Sequence, residues 1–336
     1  SAGYVVASIF VLGVSAWYLL KGRHIALAKR SMTVAASFGL ASSLSVVVLG
    51  DESGYLSTEH QKMKLAAIEA MWHTEPAPAA FTIVGLPDQA ERKTYYSVQV
   101  PWVMGLIGTR SLTTEIPGIH ELVELAEMRI RQGIMAFDAL QSIREAGSSA
   151  AIPADVADRF EDTGHYLGYA LLLRPYLDDP REATDEQITQ AAWDTVPNVP
   201  TLFWSFRIMV GLGMFFIVLT ATFFYLSARH QLDRYPWLLK VAVFSIPLPW
   251  IAAEAGWIVA EVGRQPWVIE GVLPTAAAVS DLGATTVLFT IAGFAAIYTV
   301  LFIIEMTLML AAIRKGPEED HEPEQKLLAE ALKPAE

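Results

Sequence analysis

Glu254-Ala255-Gly256-Trp257-Ile258-Val259-Ala260-Glu261-Val262-Gly263-Arg264-Gln265-Pro266-Trp267 closes an apolar run that begins near residue 237. The run reads as a helix through lipid, since a bilayer core needs about 20 apolar residues per crossing. Yet it carries two carboxylates, Glu254 and Glu261, seven residues apart. At helical spacing they share one face, two turns apart. A carboxylate in lipid is costly and marks a protein interior, a cofactor or a water path. Pro247 and Pro249 precede the pair and free carbonyls from the helix ladder, a pattern common where helices line sites. The competing reading sets Glu261 at the headgroup level, paired with Arg264.

Working outward, five segments are long and apolar enough to cross a bilayer: 2–20, 31–50, 202–226, 237–261 and 283–313. With 53% hydrophobic residues in 336, the chain is too apolar for an ordinary soluble protein. The first segment lacks a basic stretch before it and a small-residue cleavage site after it, so it reads as a span and not a signal peptide. The fold class expected is an all-α integral membrane protein of about five transmembrane helices with a large, mostly helical extracytoplasmic loop. Its parts are two spans in 1–50, the loop in 51–200, three spans in 201–315 and a disordered cytoplasmic tail in 316–336.

Orientation follows from lysine and arginine. Lys21, Arg23, Lys29 and Arg30 lie between the first two spans, Arg229 and Arg234 between the third and fourth, and Arg314 and Lys315 after the fifth. Five crossings put all of these on one side, which is therefore cytoplasmic. The loop 51–200 is then periplasmic and the first residue lies outside, so earlier spans are expected to precede it. The net charge of -12 resides mostly in the loop and the tail and argues against nucleic acid as a partner. Without cysteine there are no disulfides, no cysteine-held iron–sulfur clusters and no covalently attached c-type heme.

A connection of this length usually carries structure or a site of its own. In 118–146, Leu122, Leu125, Ile130, Ile134, Phe137 and Leu140 recur among charged residues at helical spacing. A second helix is expected over 154–174, after Pro153 and before Pro175, and a short third over 182–194. Lys64 and Glu69 fall five residues apart on a short helix near the outer membrane face, where the default reading is a solvated surface. Glu75 follows, and then the stiff connector Pro76-Ala77-Pro78-Ala79-Ala80-Phe81.

None of the seven histidines lies inside a predicted span, so the spans offer no imidazole to a heme. What they do offer is thioether, at Met209, Met214, Met306 and Met309, and carboxylate, at Glu254, Glu261 and Glu305. Methionine opposite histidine is a known axial pair that raises a heme's potential, so a heme here needs its histidine from another segment. Arg207, two residues before Met209, is placed to bond a heme propionate. The plainer reading makes Met209 core filler and lets Arg207 snorkel to the interface.

Several motifs in one order resemble subunit I of the cytochrome bd quinol oxidases: Gly50-Asp51-Glu52-Ser53-Gly54-Tyr55, Lys64-Leu65-Ala66-Ala67-Ile68-Glu69-Ala70, the 76–81 connector, Phe206-Arg207-Ile208-Met209, and Gly256-Trp257 followed by Gly263-Arg264-Gln265-Pro266-Trp267. The likeness runs from Gly3 to about Gly316, and the insertion resembles the long version of the family's quinol loop. The resemblance implies that Met209 ligates the low-spin heme b and Glu261 the high-spin heme b. It also implies that Arg207 lies beside the low-spin heme and that Lys64 and Glu69 act in quinol oxidation. Trp257 would assist electron transfer between hemes, with Glu254 and Arg264 in the same environment. Heme d, quinol as substrate, oxygen as acceptor, subunit II, small single-span subunits, membrane lipid and a bacterial inner-membrane location follow from the same likeness. Family members begin with four further spans bearing the histidines. The chain therefore reads as the C-terminal part of a subunit I, inactive alone. Two rivals remain: a transporter or proton channel relaying protons through Glu254, Glu261 and Glu305, and a non-catalytic fragment.

Overall fold

The computed structural model describes residues 2–146 and 152–317. The tail 318–336, read above as disordered, lies outside the described residues. Two long apolar helices come first, α1 (Ala2–Lys21) and α2 (Ile25–His60), and pack on each other. α2 starts six residues before the expected 31 and runs ten past the expected 50, so it continues through Asp51 and Glu52 beyond the apolar stretch. A short helix, α3 (Lys62–Glu69), follows at once.

The chain next forms a hairpin that the sequence reading did not anticipate. Its strands, β1 (Phe81–Asp88) and β2 (Lys93–Val100), pair antiparallel from Phe81↔Val100 to Asp88↔Lys93. Asp88 tightens the turn by accepting from the N–H groups of Ala90 and Glu91 at 2.9 and 3.0 Å. Then comes α4 (Ile119–Ala146), as expected. The helix expected over 154–174 is instead broken into α5 (Ala154–Thr163) and α6 (Leu167–Ala170), separated by a 3₁₀ turn and followed by another. α7 (Asp185–Trp193) begins on a capping box between Thr184 and Gln187, which fixes its start three residues later than expected.

Beyond the loop, α8 (Val199–Ala228) is a single unbroken span. The fourth expected span is two helices, α9 (Pro236–Phe244) and α10 (Leu248–Val262), bent by 40°. The break falls where Pro247 and Pro249 remove two ladder donors and their rings crowd the preceding turn. A second small hairpin, β3 (Trp267–Ile269) with β4 (Leu273–Pro274), follows, turning at Gly271 with φ +72°. α11 (Ala284–Lys315) is the last span, and none of its residues is buried. The architecture is a helical membrane protein of five spans, counting the bent pair as one.

Two large cores hold it together, beside a smaller cluster of Leu65, Met71, Ala79, Met104 and Ile116. Ile9, Leu12, Met32, Phe216, Phe223 and Leu239 fill the space among α1, α2, α8 and α9. Small residues allow that closeness: a Cβ on Gly39 would stand 2.9 Å from Thr220 Cγ2 and 3.1 Å from Ser8 Cβ, so α1, α2 and α8 meet there. The other core lies in the loop, where Ala66, Ala67, Ile119, Ile130, Leu173, Ala191 and Ala192 surround Val199, Leu202 and Phe203 at the start of α8. α8 therefore belongs to both cores and joins loop to membrane.

Candidate functional site at the junction of loop and span

α3 ends on Glu69 because Ala70 adopts the left-handed conformation, φ +52°, and Met71 N–H returns to Ala66 O at 2.9 Å. That turn folds the last residue of α3 inward. Glu69 is 2% exposed, in contrast to the solvated helix face expected from sequence. Burial pushes its carboxyl up to about 7, opposed by the Arg207 guanidinium and by a hydrogen bond with the Thr82 backbone.

Arg207 rises from α8 to meet it. Its Nη2 lies 3.2 Å from Glu69 Oε2, and Nη1 donates to Ile68 O at 2.8 Å and to Phe203 O at 3.0 Å. Nε donates to Thr82 O at 3.0 Å, and Nη2 donates to the same carbonyl. The guanidinium also lies over the Phe203 ring, 3.3 Å from its centroid. Arg207 thus does not snorkel to water. One side chain clamps the end of α3, the first strand of the hairpin and the third span together, and its fork geometry is what lets it reach so many acceptors.

Lys64, one turn earlier on α3, lies against the far end of α10. A Cβ on Gly263 would stand 2.9 Å from Lys64 Cγ, so the glycine makes room for the lysine stem. Lys64 Nζ donates to Gln61 Oε1 at 3.2 Å. Burial and the nearby Arg264 pull the ammonium below its ordinary value, while Glu270 and Glu261 oppose them. Glu270 is in turn pushed up by burial, against Arg129, Lys64 and His60. Glu261 is half-buried and pairs with Arg264 one turn on, as the plainer reading held. Lys64, Glu261, Arg264 and Glu270 therefore form one charged cluster beside the loop core.

Met209, two residues beyond Arg207, is half-buried and belongs to neither core. It faces Gly256 of α10, where a Cβ would come within 3.0 Å of its Sδ. Trp257 is 66% exposed and Glu254 is exposed too, so α10 turns an uncovered face carrying Glu254, Trp257 and Ile258 away from this chain's packing. The donor types, a soft thioether on α8 and a carboxylate on α10, are ones that could each take one side of a heme iron, and both side chains are half-buried. Glu305 lies on α11, among whose described residues none is buried, so the three carboxylates are not gathered into one interior path.

Thr82, Ile68 and Phe203 were missed in the sequence because they act through backbone carbonyls and a ring. Gln61 and Glu270 were also missed. Glu270 lies just past Trp267 of a recognised motif, and that proximity was the one available signal. Glu75 is held apart from Arg207, accepting from Ala80 N–H at 3.3 Å and from Gln99 Nε2 at 3.4 Å.

With this geometry established, comparison with known proteins is decisive about family. The model of "Cytochrome bd terminal oxidase subunit I" matches residues 1–317. The chain is 37% identical over 316 residues to the cytochrome bd-II ubiquinol oxidase subunit 1 of Escherichia coli (strain K12), covering 94% of this chain and 61% of that protein. It is 28% identical over 319 residues to the cytochrome bd ubiquinol oxidase subunit 1 of Bacillus subtilis (strain 168), covering 94% and 54%. The solved bd oxidase of Geobacillus thermodenitrificans superposes with a TM-score of 0.60 at 21% identity, over 94% of this chain and 56% of that one, a likeness of fold. The chain thus spans between half and two thirds of the length of these relatives. Motif order, matched length and fold agree, and the chain belongs to the cytochrome bd terminal oxidase subunit I family.

Proposed function

We propose that this chain forms the quinol-oxidising outer face, and one side of the heme sites, of a bd-type quinol:oxygen oxidoreductase in a bacterial inner membrane. One observation carries the reading. A buried carboxyl that titrates near neutrality, Glu69, is paired with Arg207 only two residues from the Met209 thioether. Quinol oxidation releases protons and electrons together, and in this reading Glu69 is the proton acceptor and Met209, two residues from its partner Arg207, ligates the electron-accepting heme.

Glu69 accepts a proton from a quinol hydroxyl, which needs a base whose pKa lies near the working pH. Arg207 keeps the ionised form within reach and fixes the carboxylate against α8. Lys64, with its ammonium partly desolvated, orients the headgroup by donating a hydrogen bond to a quinol oxygen. Met209 would hold the low-spin heme b and Glu261 the high-spin heme b. With heme d, these groups supply electron transfer and oxygen reduction when bound. Arg264 balances the charge of Glu261, and Glu254 and Trp257 line the same open face, with Trp257 assisting transfer between hemes. Release of protons outside and uptake inside would build a potential without pumping. The partners in this reading are the remaining part of a subunit I, which supplies the histidines, together with subunit II and small single-span subunits.

In the assembled oxidase, Glu69→Gln is expected to lower quinol turnover by about 100-fold or more, the usual worth of a positioned general base. The reduced-minus-oxidised heme spectrum should be unchanged. Full turnover in that variant would remove Glu69 from the reaction.

A further inference from the structure

Oxidising a quinol frees two protons, and one carboxylate accepts only one. Glu69, at 2% exposure, has little contact with water and holds its proton until the protein passes it on. A second acid lies on the other side of Lys64. Glu270 follows β3 directly and lies near the charges of Lys64 on α3, Arg129 on α4 and His60 at the end of α2. Among the described residues, none hydrogen-bonds to its carboxylate.

Glu270 lines a cavity of about 150 Å³, room for several waters at roughly 30 Å³ each. The floor is built and dry: Tyr169 and Trp267 are buried there and meet edge to face at 5.2 Å. Arg129 Nη1 donates to Tyr169 Oη at 2.8 Å, which leaves the phenol its own proton to offer a water. Burial keeps that phenol neutral by pushing it above its ordinary range. The rim is the opposite: Glu59, His60 and Lys62 line it and are exposed. Met63, the residue before Lys64, also borders the cavity, so its inner side adjoins the helix turn that carries the lysine. Glu270 is itself exposed on the rim side, while surrounding protein pushes its carboxyl up.

We propose that Glu270 takes the second quinol proton through water in this cavity and returns it to bulk water at the rim. The proposal rests on the reading of Glu69 and Lys64 as the quinol site. Both O–H bonds of the quinol break and the ring becomes the quinone. Its two electrons pass to ferric heme iron, one proton goes to Glu69, and the other crosses water to Glu270. Burial favours the protonated form of Glu270, and Arg129, Lys64 and His60 draw it back toward the ionised one. A carboxyl balanced in this way both accepts and releases a proton.

The test measures quinol turnover against pH in the assembled oxidase containing the full subunit. Both carboxyls must be ionised to accept, so on the acid side of both ionisations log kcat of wild type is expected to rise with a slope of about two. Glu270→Gln is expected to lower kcat about 100-fold at unchanged KM and to reduce that slope to about one. Glu270→Asp keeps a carboxylate and is expected to restore the steeper slope and most of the turnover. The heme spectrum reports that each variant is assembled. Unchanged kcat in Glu270→Gln overturns the proposal, and so does a lowered kcat that keeps the wild-type slope, which is the mark of a structural role. Should Glu270→Gln not assemble, a wild-type slope of about one overturns it as well. Full turnover in Glu69→Gln would overturn the quinol-site reading and this proposal with it. Loss of turnover there, with Glu270→Gln at the wild-type rate, overturns this proposal alone.

Discussion

At 2% exposure, Glu69 keeps a carboxyl where water cannot solvate its charge, and the Arg207 guanidinium offsets part of that cost. Removing one partner of a buried pair is far more damaging than the pair is stabilising, because the other charge is left alone. Arg207→Leu is therefore expected to cost the loop about 3–5 kcal/mol, with faster proteolysis of the hairpin as the readout. Arg207→Lys should recover only part of this, since an ammonium cannot reach Ile68, Phe203 and Thr82 carbonyls together. Stability should also depend on pH. The unfolded carboxyl titrates near 4.5 and the folded one near 7, so the folded state holds the extra proton between them. The contribution is full below about 4.5 and is lost as pH rises to about 7. Thermal unfolding of the loop across that window should show the slope in wild type and a shallower one in Glu69→Gln. Lys64 and Glu69 were visible in the sequence as a spaced pair, but their setting was not. Nothing in Lys64-Leu65-Ala66-Ala67-Ile68-Glu69 announces that Ala70 will take a left-handed turn and bury the acid. Arg207 was equally opaque, because its main acceptors are backbone carbonyls more than a hundred residues away in sequence.

At the scale of elements, hydropathy was a good guide wherever lipid decides the structure. All five spans lie where apolar runs predict them, and the double proline marks the break between α9 and α10. The loop obeyed a different logic. In Phe81-Thr82-Ile83-Val84-Gly85-Leu86-Pro87-Asp88 the strand period is broken by register shifts between Thr82 and Val84 and between Val84 and Leu86, so alternation never becomes legible. The region 154–174 has helical composition, yet Gly168 must approach the second hairpin so closely that a Cβ would stand 2.2 Å from Gly271 O, and the chain there winds in short turns. An equally tight joint is Gly118, whose Cβ would stand 2.2 Å from the His73 carbonyl carbon. There, Ile119 and His120 donate their N–H groups to Met71 O and Trp72 O at 2.9 and 3.0 Å, docking α4 two residues beyond Glu69. Gly118→Ala is expected to destabilise this joint by about 2 kcal/mol or more. Hydrogen exchange should show protection lost first at the Ile119 and His120 amides, ahead of the remainder of α4.

For the molecule as a whole, α8 is the element that makes one object of two cores. Its first residues pack in the loop core and its last in the span core, with Arg207 and Met209 between. Movement of the loop would therefore be felt beside Met209, the coupling that the proposed quinol oxidation calls for. The open face of α10 and the uncovered α11 are surfaces whose composition fits contact with lipid, hemes or further helices, and the relatives are longer than this chain. The measurement that bears most directly on this account is the reduced-minus-oxidised visible spectrum of membranes containing the assembled oxidase with Met209→Leu. Loss or displacement of the low-spin heme b bands, with the loop still protease-resistant, is the predicted result. A spectrum identical to wild type would mean that Met209 ligates nothing, and that the junction of Glu69, Arg207 and Met209 serves packing alone.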